Sequence, residues 1–181
     1  MQVPVLHTGR LELVSLSEDF LVASLAGERT RAEQLGGFQL PEEWPGTHES
    51  LLRMRLEDLG KDPSLRPWLL RALVRREPGR LMVGYANFHG APDERRAVEM
   101  GYEVFPEYRR QGYAEETVRE LVAWAKREHG IHHFVASVSP GNGPSLAMVR
   151  KLGFRQTGSQ WDEVDGEELV FELFSEPLRG G

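Results

Sequence analysis

Apolar residues along this chain follow two kinds of spacing, one typical of β-strands and the other typical of α-helices. An alternating pattern, or a short continuous apolar run bounded by turn residues, predicts a strand. The predicted strands are Arg10–Leu16, Trp68–Val74, Leu81–Phe88, Ala97–Phe105, Phe134–Ser139, Arg155–Glu163 and Glu167–Phe174. Glu77–Arg80 (EPGR) and Asp165–Gly166 have the composition of tight turns, so each predicts a hairpin between the strands beside it.

Apolar residues three and four positions apart predict helices between these strands. Ser17 is a predicted N-cap for a helix that runs to about Ala26, and Thr47 is predicted to cap a helix over Ser50–Leu59. The clearest helical pattern covers Gly112–Glu128, and a shorter helix over Pro144–Leu152 is followed by a glycine. Residues 27–44 show no clear pattern.

The resulting order, β-α-α-β-β-β-α-β-α-β-β, places hairpins around one β-α-β crossover at residues 97–139. It predicts an α/β (α+β) fold with a mixed, mostly antiparallel sheet and helices on both faces. The length of 181 residues predicts a single domain over 1–181, with a frayed tail at 176–181.

Composition excludes several classes of protein. The chain is 40% hydrophobic and 28% charged, which is typical of a globular domain, and its net charge of −6 argues against nonspecific nucleic-acid binding. Cysteine is absent, which excludes a disulfide scaffold and a cysteine nucleophile and fits a reducing, cytoplasmic compartment. Neither a secretion signal nor a membrane span is expected from the hydropathy pattern.

The stretch Val98–Ala114 carries the most chemical information. A predicted strand runs into a short basic loop, and this loop opens the longest predicted helix. Small residues at Gly112 and Ala114 let backbone amides approach a ligand closely, and a helix N-terminus favours anions, so the segment can bind phosphate. Neither the Walker A motif nor the dinucleotide fingerprint is present. An ordinary strand–turn–helix with arginines facing solvent fits the same spacing.

Arg109-x-x-Gly112-x-Ala114 resembles the pyrophosphate loop of the GNAT superfamily of N-acyltransferases. A second motif follows in the expected order, with Ser137–Ser145 (SVSPGNGPS) and Val149–Phe154 (VRKLGF). Together with Arg10–Leu13 (RLEL), these residues resemble the ribosomal-protein alanine N-acetyltransferase (RimJ/RimL-like) branch.

The resemblance implies transfer of an acetyl or other short acyl group from acyl-CoA to a primary amine by direct attack. The acceptor would be a small molecule or a protein N-terminus. The splayed strand pair of the family would leave backbone groups of Val104 and Phe105 unpaired for the pantetheine arm and the thioester. Asn142 would bind the same arm or simply turn the chain. The implied diphosphate ligands are Arg109, Arg110, Gln111, Gly112, Tyr113 and Ala114.

The predicted strand before the loop carries the candidate general bases. Glu99 and Glu103 share one face of it, and two acids on a central strand are costly unless they meet water, a partner or a substrate. The position of Glu99 resembles a recurrent family acid, so Glu99 is the first candidate and Glu103 the second. The alternative is that both acids form salt bridges on an exposed face.

One position departs from the family pattern. Many relatives carry a tyrosine, as general acid, where this chain has Val149. Ser145 matches a serine proposed to replace it, although it could also be a plain helix-cap hydroxyl. The departure leaves open a non-catalytic acyl-CoA-binding or regulatory domain of the same fold.

A few other residues are further candidates for functional sites. A metal site at the histidines of HGIHH (129–133) is not expected, because Gly130 separates them. Asp162 and Glu163 could contact the acceptor amine or form a solvated hairpin. Pairing of two copies through the terminal hairpin or the early helices is implied by resemblance alone. Three aromatic residues could line an acceptor pocket but are more typical of a core, and they are Phe38, Trp44 and Trp68.

Overall fold

The computed structural model describes residues 2–176, so most of the predicted tail, residues 177–181, lies outside the described residues. The strands are β1 (Leu6–His7), β2 (Leu11–Ser15), β3 (Arg71–Arg75), β4 (Leu81–Phe88), β5 (Ala97–Val104), β6 (His133–Val138), β7 (Arg155–Asp162) and β8 (Gly166–Phe174). The α-helices are α1 (Glu18–Leu25), α2 (Arg29–Gly36), α3 (Glu49–Lys61), α4 (Tyr113–His129) and α5 (Gly143–Lys151).

The strands form one eight-stranded mixed sheet in the order β1-β2-β3-β4-β5-β6-β8-β7. Within residues 2–176, a parallel ladder joins Ala97–Met100 of β5 to His133–Ala136 of β6, as the predicted β-α-β crossover requires. The ladders β1–β2, β2–β3, β3–β4, β6–β8 and β7–β8 are antiparallel, and an isolated parallel bridge joins Gln39 to Leu81. The mostly antiparallel sheet is therefore confirmed. A divergence of β5 from β6 beyond Met100 remains a prediction.

The described chain forms two compact units. The first comprises the chain up to Asn87 together with Tyr102–Thr117, and the second comprises Phe88–Gly101 together with the chain from Val118 onward. In the first unit, Phe20, Leu52 and Leu59 are fully buried in a core that α1, α3, β3 and β4 share. In the second, Phe88 stacks on Trp124, with ring centroids 6.0 Å apart, and Phe134 and Phe171 are fully buried. A single domain over 1–181 remains a prediction.

Local signals set several of the element bounds. The Ser17 hydroxyl accepts a hydrogen bond from the Phe20 N–H at 3.1 Å, which confirms the N-cap prediction for α1. The Thr47 prediction is wrong, because a 3₁₀ turn over Gly46–His48 precedes α3 and His48 occupies its N-cap. The predicted start of β3 is also wrong. Trp68 ends a 3₁₀ helix that begins at Pro63 and contains Pro67, and the strand begins at Arg71.

Gly84 allows β4 to pass very close to the end of β5. A Cβ atom at Gly84 would lie 2.2 Å from the carbonyl oxygen of Glu103 and 3.0 Å from the Cα of Val104, both of which are backbone atoms. Only glycine fits this position without a backbone shift. The close approach fixes the strand end from which the basic loop departs.

Within residues 2–176, none of the helices combines the length and the apolar character that crossing a bilayer requires.

Candidate active site

The basic loop between β5 and α4 has an unusual backbone. Arg110 and Gly112 both have positive φ, at 64° and 84°, on either side of Gln111. Left-handed residues at alternate positions turn successive N–H groups toward one side, which creates a concave site for an anion. Helix α4 begins at Tyr113, so the N–H groups of its first turn, which lack intrahelical acceptors, extend this site. The backbone therefore suits a diphosphate.

Two arginines of the loop have different surroundings. The Nε of Arg109 donates to the carbonyl oxygen of Val104 at 2.8 Å, and its Nη2 lies 3.8 Å from a carboxylate oxygen of Glu103. Arg109 therefore holds the loop to the end of β5. Arg110 is exposed and has a left-handed backbone, whereas the backbone of Arg109 is extended.

The backbone groups at the end of β5 are more occupied than the family resemblance implies. The Phe105 N–H donates to the Val83 carbonyl at 2.9 Å, and the Phe105 carbonyl accepts from the Tyr108 N–H at 2.9 Å. The expectation of unpaired groups at Phe105 is therefore wrong, because β4 continues its pairing to this residue. The Val104 N–H, on the opposite side of the strand, is the remaining candidate.

Glu103 lies in a polar cluster of the first unit that sequence reasoning did not assemble. Its Oε2 lies 3.0 Å from Nε2 of His48 and accepts a hydrogen bond from the Tyr85 hydroxyl at 3.1 Å. The other ring nitrogen of His48 lies 3.2 Å from the Pro45 carbonyl oxygen. Because both of its nitrogens are engaged, His48 orients Glu103 and offers no free nitrogen to a substrate.

Aromatic rings surround His48 in the same unit. Trp44 stacks on its ring with a centroid distance of 5.9 Å, Phe105 lies at 5.5 Å, and Tyr85 meets it edge-on at 5.3 Å. Trp44 is half-buried and donates from Nε1 to Ser24, whereas Phe38 and Trp68 are buried core residues. Of the three aromatics considered as pocket residues, Trp44 is the one beside Glu103 and its partners.

Glu99 lies in the second unit with a separate set of partners. The Ser137 hydroxyl donates to its Oε1 at 2.8 Å, and the Gln160 amide donates to the Ser137 oxygen at 3.1 Å. His89 Nδ1 lies 3.5 Å from the other oxygen of Glu99. His89 lowers the pKa of Glu99 most, Ser137 acts in the same direction, and partial burial opposes them. Glu99 is therefore an oriented carboxylate that stays ionised at neutral pH.

The start of α5 explains the roles of the second motif. The Asn142 side-chain oxygen accepts from the Ser145 N–H at 3.2 Å and caps the helix. This bond gives Asn142 a structural role at the turn, and its binding of the pantetheine arm remains a prediction. Ser145 is half-buried in the first turn of α5. Val149 is fully buried, so its place in the helix belongs to the core.

Three of the remaining candidates, Asp162, His129 and His133, have structural partners. Asp162 accepts from the N–H groups of Val164 and Asp165, both at 2.8 Å, and these bonds lower its pKa and form the hairpin turn. His133 pairs with Glu172 at 2.6 Å, and His129 packs edge-on against Trp124. Among residues 2–176, no group of three or more His, Asp or Glu side chains is placed to hold a metal ion.

The structure adds residues that the sequence did not indicate as functional. Arg10 reaches the basic loop from the start of β2 and donates to the Gln111 carbonyl oxygen at 2.7 Å. His48 and Tyr85 contact Glu103, and His89 and Ser137 contact Glu99. His89 precedes Glu99 by ten positions, whereas the other partners lie farther away along the chain, so no local motif indicates these contacts. The two resembling motifs include Arg10 and Ser137 without giving either a role.

This chain is similar to acetyltransferases both in its match to a family model and in its sequence relatives. A family model described as "Acetyltransferase (GNAT) domain" matches residues 10–155. The uncharacterized N-acetyltransferase YjdG of Bacillus subtilis is 28% identical over 152 residues, which cover 83% of this chain and 89% of that protein.

Solved structures show the same fold at low identity. The ribosomal-protein-S5-alanine acetyltransferase of Vibrio fischeri has a TM-score of 0.66 and 15% identity, with 98% of this chain and 100% of that one covered. Mycobacterium smegmatis RimJ in complex with CoA-disulfide has a TM-score of 0.64 and 17% identity, with 99% and 90% covered.

Proposed function

Since this chain belongs to the acetyltransferase (GNAT) family and is an acetyl-CoA-dependent N-acetyltransferase, we propose that it acetylates a primary amine by direct attack in a ternary complex. The observation that carries the proposal is the loop before α4, where positive φ at Arg110 and Gly112 gathers backbone N–H groups at a helix N-terminus. This loop binds the diphosphate of acetyl-CoA. The acceptor is a small-molecule amine or a protein N-terminus.

The diphosphate ligands are the backbone N–H groups from Gln111 to Ala114 and the exposed Arg110 side chain. A helix N-terminus stabilises an anion through its unsatisfied donors and its dipole. Arg109 contributes charge and also holds the loop to the Val104 carbonyl. The Val104 N–H is the backbone donor proposed for the thioester oxygen, where it would stabilise the oxyanion that forms during attack.

Glu99 is the proposed general base. The amine nitrogen bonds to the acyl carbon, its proton passes to Glu99 directly or through water, and the carbon–sulfur bond breaks. The Ser137 hydroxyl fixes the orientation of the carboxylate, and the lowered pKa keeps Glu99 in its accepting form. Glu103 is the second candidate. Its Oε2 already has two partners, so it suits binding of a cationic acceptor better than proton removal.

The leaving sulfur needs little help. A thiol with a pKa near ~8.5 leaves as thiolate close to neutral pH, and it then takes a proton from water or from Ser145. Because Val149 is buried in the core, the proton donor used by tyrosine-bearing relatives has no counterpart at this position. Ser145→Ala distinguishes the two donors: a loss of maximal rate at a pH below the thiol pKa, where the leaving sulfur takes up a proton, supports the serine, and an unchanged rate supports water.

Two measurements test the proposed function in sequence. In a thermal-shift titration, acetyl-CoA should raise the melting temperature, whereas ATP and NAD should not. Release of free CoA thiol is then followed with a panel of polyamines, aminoglycosides, amino-acid derivatives and peptides with free N-termini. Stabilisation by acetyl-CoA with amine-dependent thiol release is expected. Equal stabilisation by ATP would contradict the selectivity for acyl-CoA, and the absence of turnover with every amine would contradict the ternary-complex mechanism.

A further inference from the structure

Arg10 makes a dense set of contacts with the loop before α4. Its backbone N–H donates to Oε1 of Glu116 at 2.9 Å, and its Nε and Nη2 lie 3.1 and 3.0 Å from Oε2 of the same carboxylate. Nη2 also donates to the Gln111 carbonyl oxygen at 2.7 Å, and the guanidinium lies 4.4 Å above the Tyr113 ring. We propose that Arg10 is a positioning residue for the diphosphate, a role that rests on the proposed function.

The hydrogen bond to Gln111 fixes the direction of a neighbouring donor. In a trans peptide the carbonyl of one residue and the N–H of the next point in opposite directions. Because Arg10 holds the Gln111 carbonyl on its own side, the Gly112 N–H points away from the guanidinium. A Cβ at Gly112 would lie 3.4 Å from Nη2 of Arg10, so the guanidinium covers that side of the loop. The opposite side is the one that receives the phosphates.

The ion pair between Arg10 and Glu116 also balances a negative charge close to the proposed diphosphate site. Glu116 lies in the first turn of α4, where a carboxylate complements the helix dipole but repels an anionic ligand. The forked contact with Arg10 balances this charge and keeps the Glu116 side chain, only 18% exposed, directed toward Arg10.

Arg10 itself is anchored by the backbone around it. The Arg76 N–H donates to the Arg10 carbonyl at 3.2 Å, and the Arg76 guanidinium bonds to the carbonyls of Thr8 and Leu11. The segment is thereby tied to the end of β3. Because its backbone is fixed, Arg10 holds the loop in its donor-gathering conformation before any ligand arrives, which reduces the ordering cost of binding.

Titration calorimetry of the full chain with CoA and with pantetheine, which lacks the diphosphate, tests this role. Arg10→Gln should weaken CoA binding about tenfold or more, as the loss of charge-assisted hydrogen bonds predicts, and leave pantetheine binding unchanged. Arg10→Lys keeps the charge but lacks the planar fork, so it should remain weak for CoA. Arg53→Gln, which removes an exposed ion pair within α3, is the matched control and should change neither affinity.

Three outcomes would overturn the inference. These are unchanged CoA affinity in Arg10→Gln, equal weakening of CoA and pantetheine, and full recovery of CoA affinity in Arg10→Lys, which would reduce the role to charge alone. If Arg10→Gln does not fold, Arg10→Lys gives the same two affinities and decides the question. If the unmodified protein binds no CoA, the proposed function falls and this inference falls with it, whereas CoA binding with an unaffected Arg10→Gln removes the inference alone.

Discussion

The Ser137 hydroxyl donates a 2.8 Å hydrogen bond to Oε1 of Glu99, across 38 positions of sequence. The two residues lie on the adjacent parallel strands β6 and β5. Ser137 in turn accepts from the Gln160 amide, so the Glu99 carboxylate is oriented by a short polar chain. Such orientation is what a general base requires, because proton transfer depends on geometry before it depends on pKa.

Glu99→Gln should therefore lower the maximal rate. Loss of a general base costs roughly 100-fold or more, and the isosteric amide keeps the packing of β5. The dissociation constant for CoA should change little, because the diphosphate binds elsewhere. Steady-state kinetics at saturating acetyl-CoA, combined with calorimetry, measure both quantities. Glu103→Gln is the matched variant on the same strand face, and it should raise the KM for a cationic acceptor more than it lowers the rate. A reversed pattern would transfer the base role to Glu103.

His89→Gln should move the acid limb of the pH–rate profile upward. His89 is the largest cause of the lowered pKa of Glu99, so its removal lets that pKa rise toward the ordinary glutamate value. A depressed pKa keeps the base ionised as the pH falls, and the variant should therefore lose activity at a higher pH than the unmodified protein does. Rates followed from neutral pH down through and below the ordinary glutamate pKa measure the limb. An acid limb that does not move would separate His89 from the titration of the base.

Gly84→Ala should destabilise the fold. The new methyl group would meet backbone atoms of Glu103 and Val104, which cannot move aside without shifting β5, and overpacking of this kind costs roughly 1–3 kcal/mol. Gly60→Ala, inside α3 with no atom within 4 Å of the added Cβ, is the control and should stabilise by roughly 0.5–1 kcal/mol. Urea unfolding of both variants measures the difference. Equal stability of the two would contradict the close approach of β4 to β5.

Arg110→Gln and Arg109→Gln should separate ligand binding from loop support. Arg110 is exposed, so its loss should weaken CoA and reduce the salt dependence of binding. The Arg109 side chain holds the Val104 carbonyl at 2.8 Å, so its loss should also lower the maximal rate by loosening the end of β5. Calorimetry at two salt concentrations and steady-state kinetics give both readouts. Identical effects of the two substitutions would show that the arginines are interchangeable.

Strong local patterns explain what the sequence could predict of the fold. The predicted bounds of β4 match the structure, and the Ser17 cap and the β5–α4–β6 crossover were recovered because each depends on nearby residues. Helix α2 was missed because Ala32 is its one buried residue and no apolar stripe marks it. The predicted strand began too early, at Trp68, because this residue opens an apolar run that continues into the strand. In the structure Trp68 is the last residue of a 3₁₀ helix.

In the candidate site, too, the sequence predicted the contiguous part and missed the residues that are distant along the chain. The loop from Arg109 to Ala114 is contiguous, so its composition alone indicated an anion site. Arg10, His48 and Tyr85 act on that loop and on Glu103 through contacts spanning 101, 55 and 18 positions, which depend on the sheet register and on the entry to α3. The hydrogen bond from the Phe105 N–H to the Val83 carbonyl likewise depends on the path of β4. The residue pattern of β5 alone carries no information about that path.

The central claim is that backbone amides at the start of α4 hold the diphosphate of acetyl-CoA. Amide chemical-shift mapping on the ¹⁵N-labelled protein tests it most directly, with CoA and pantetheine as the two probes. CoA should shift the amide signals of Arg110 to Glu116 strongly, while pantetheine should leave them in place and perturb the end of β5 near Val104. Shifts with CoA that spare this turn, or equal shifts with pantetheine, would contradict the account.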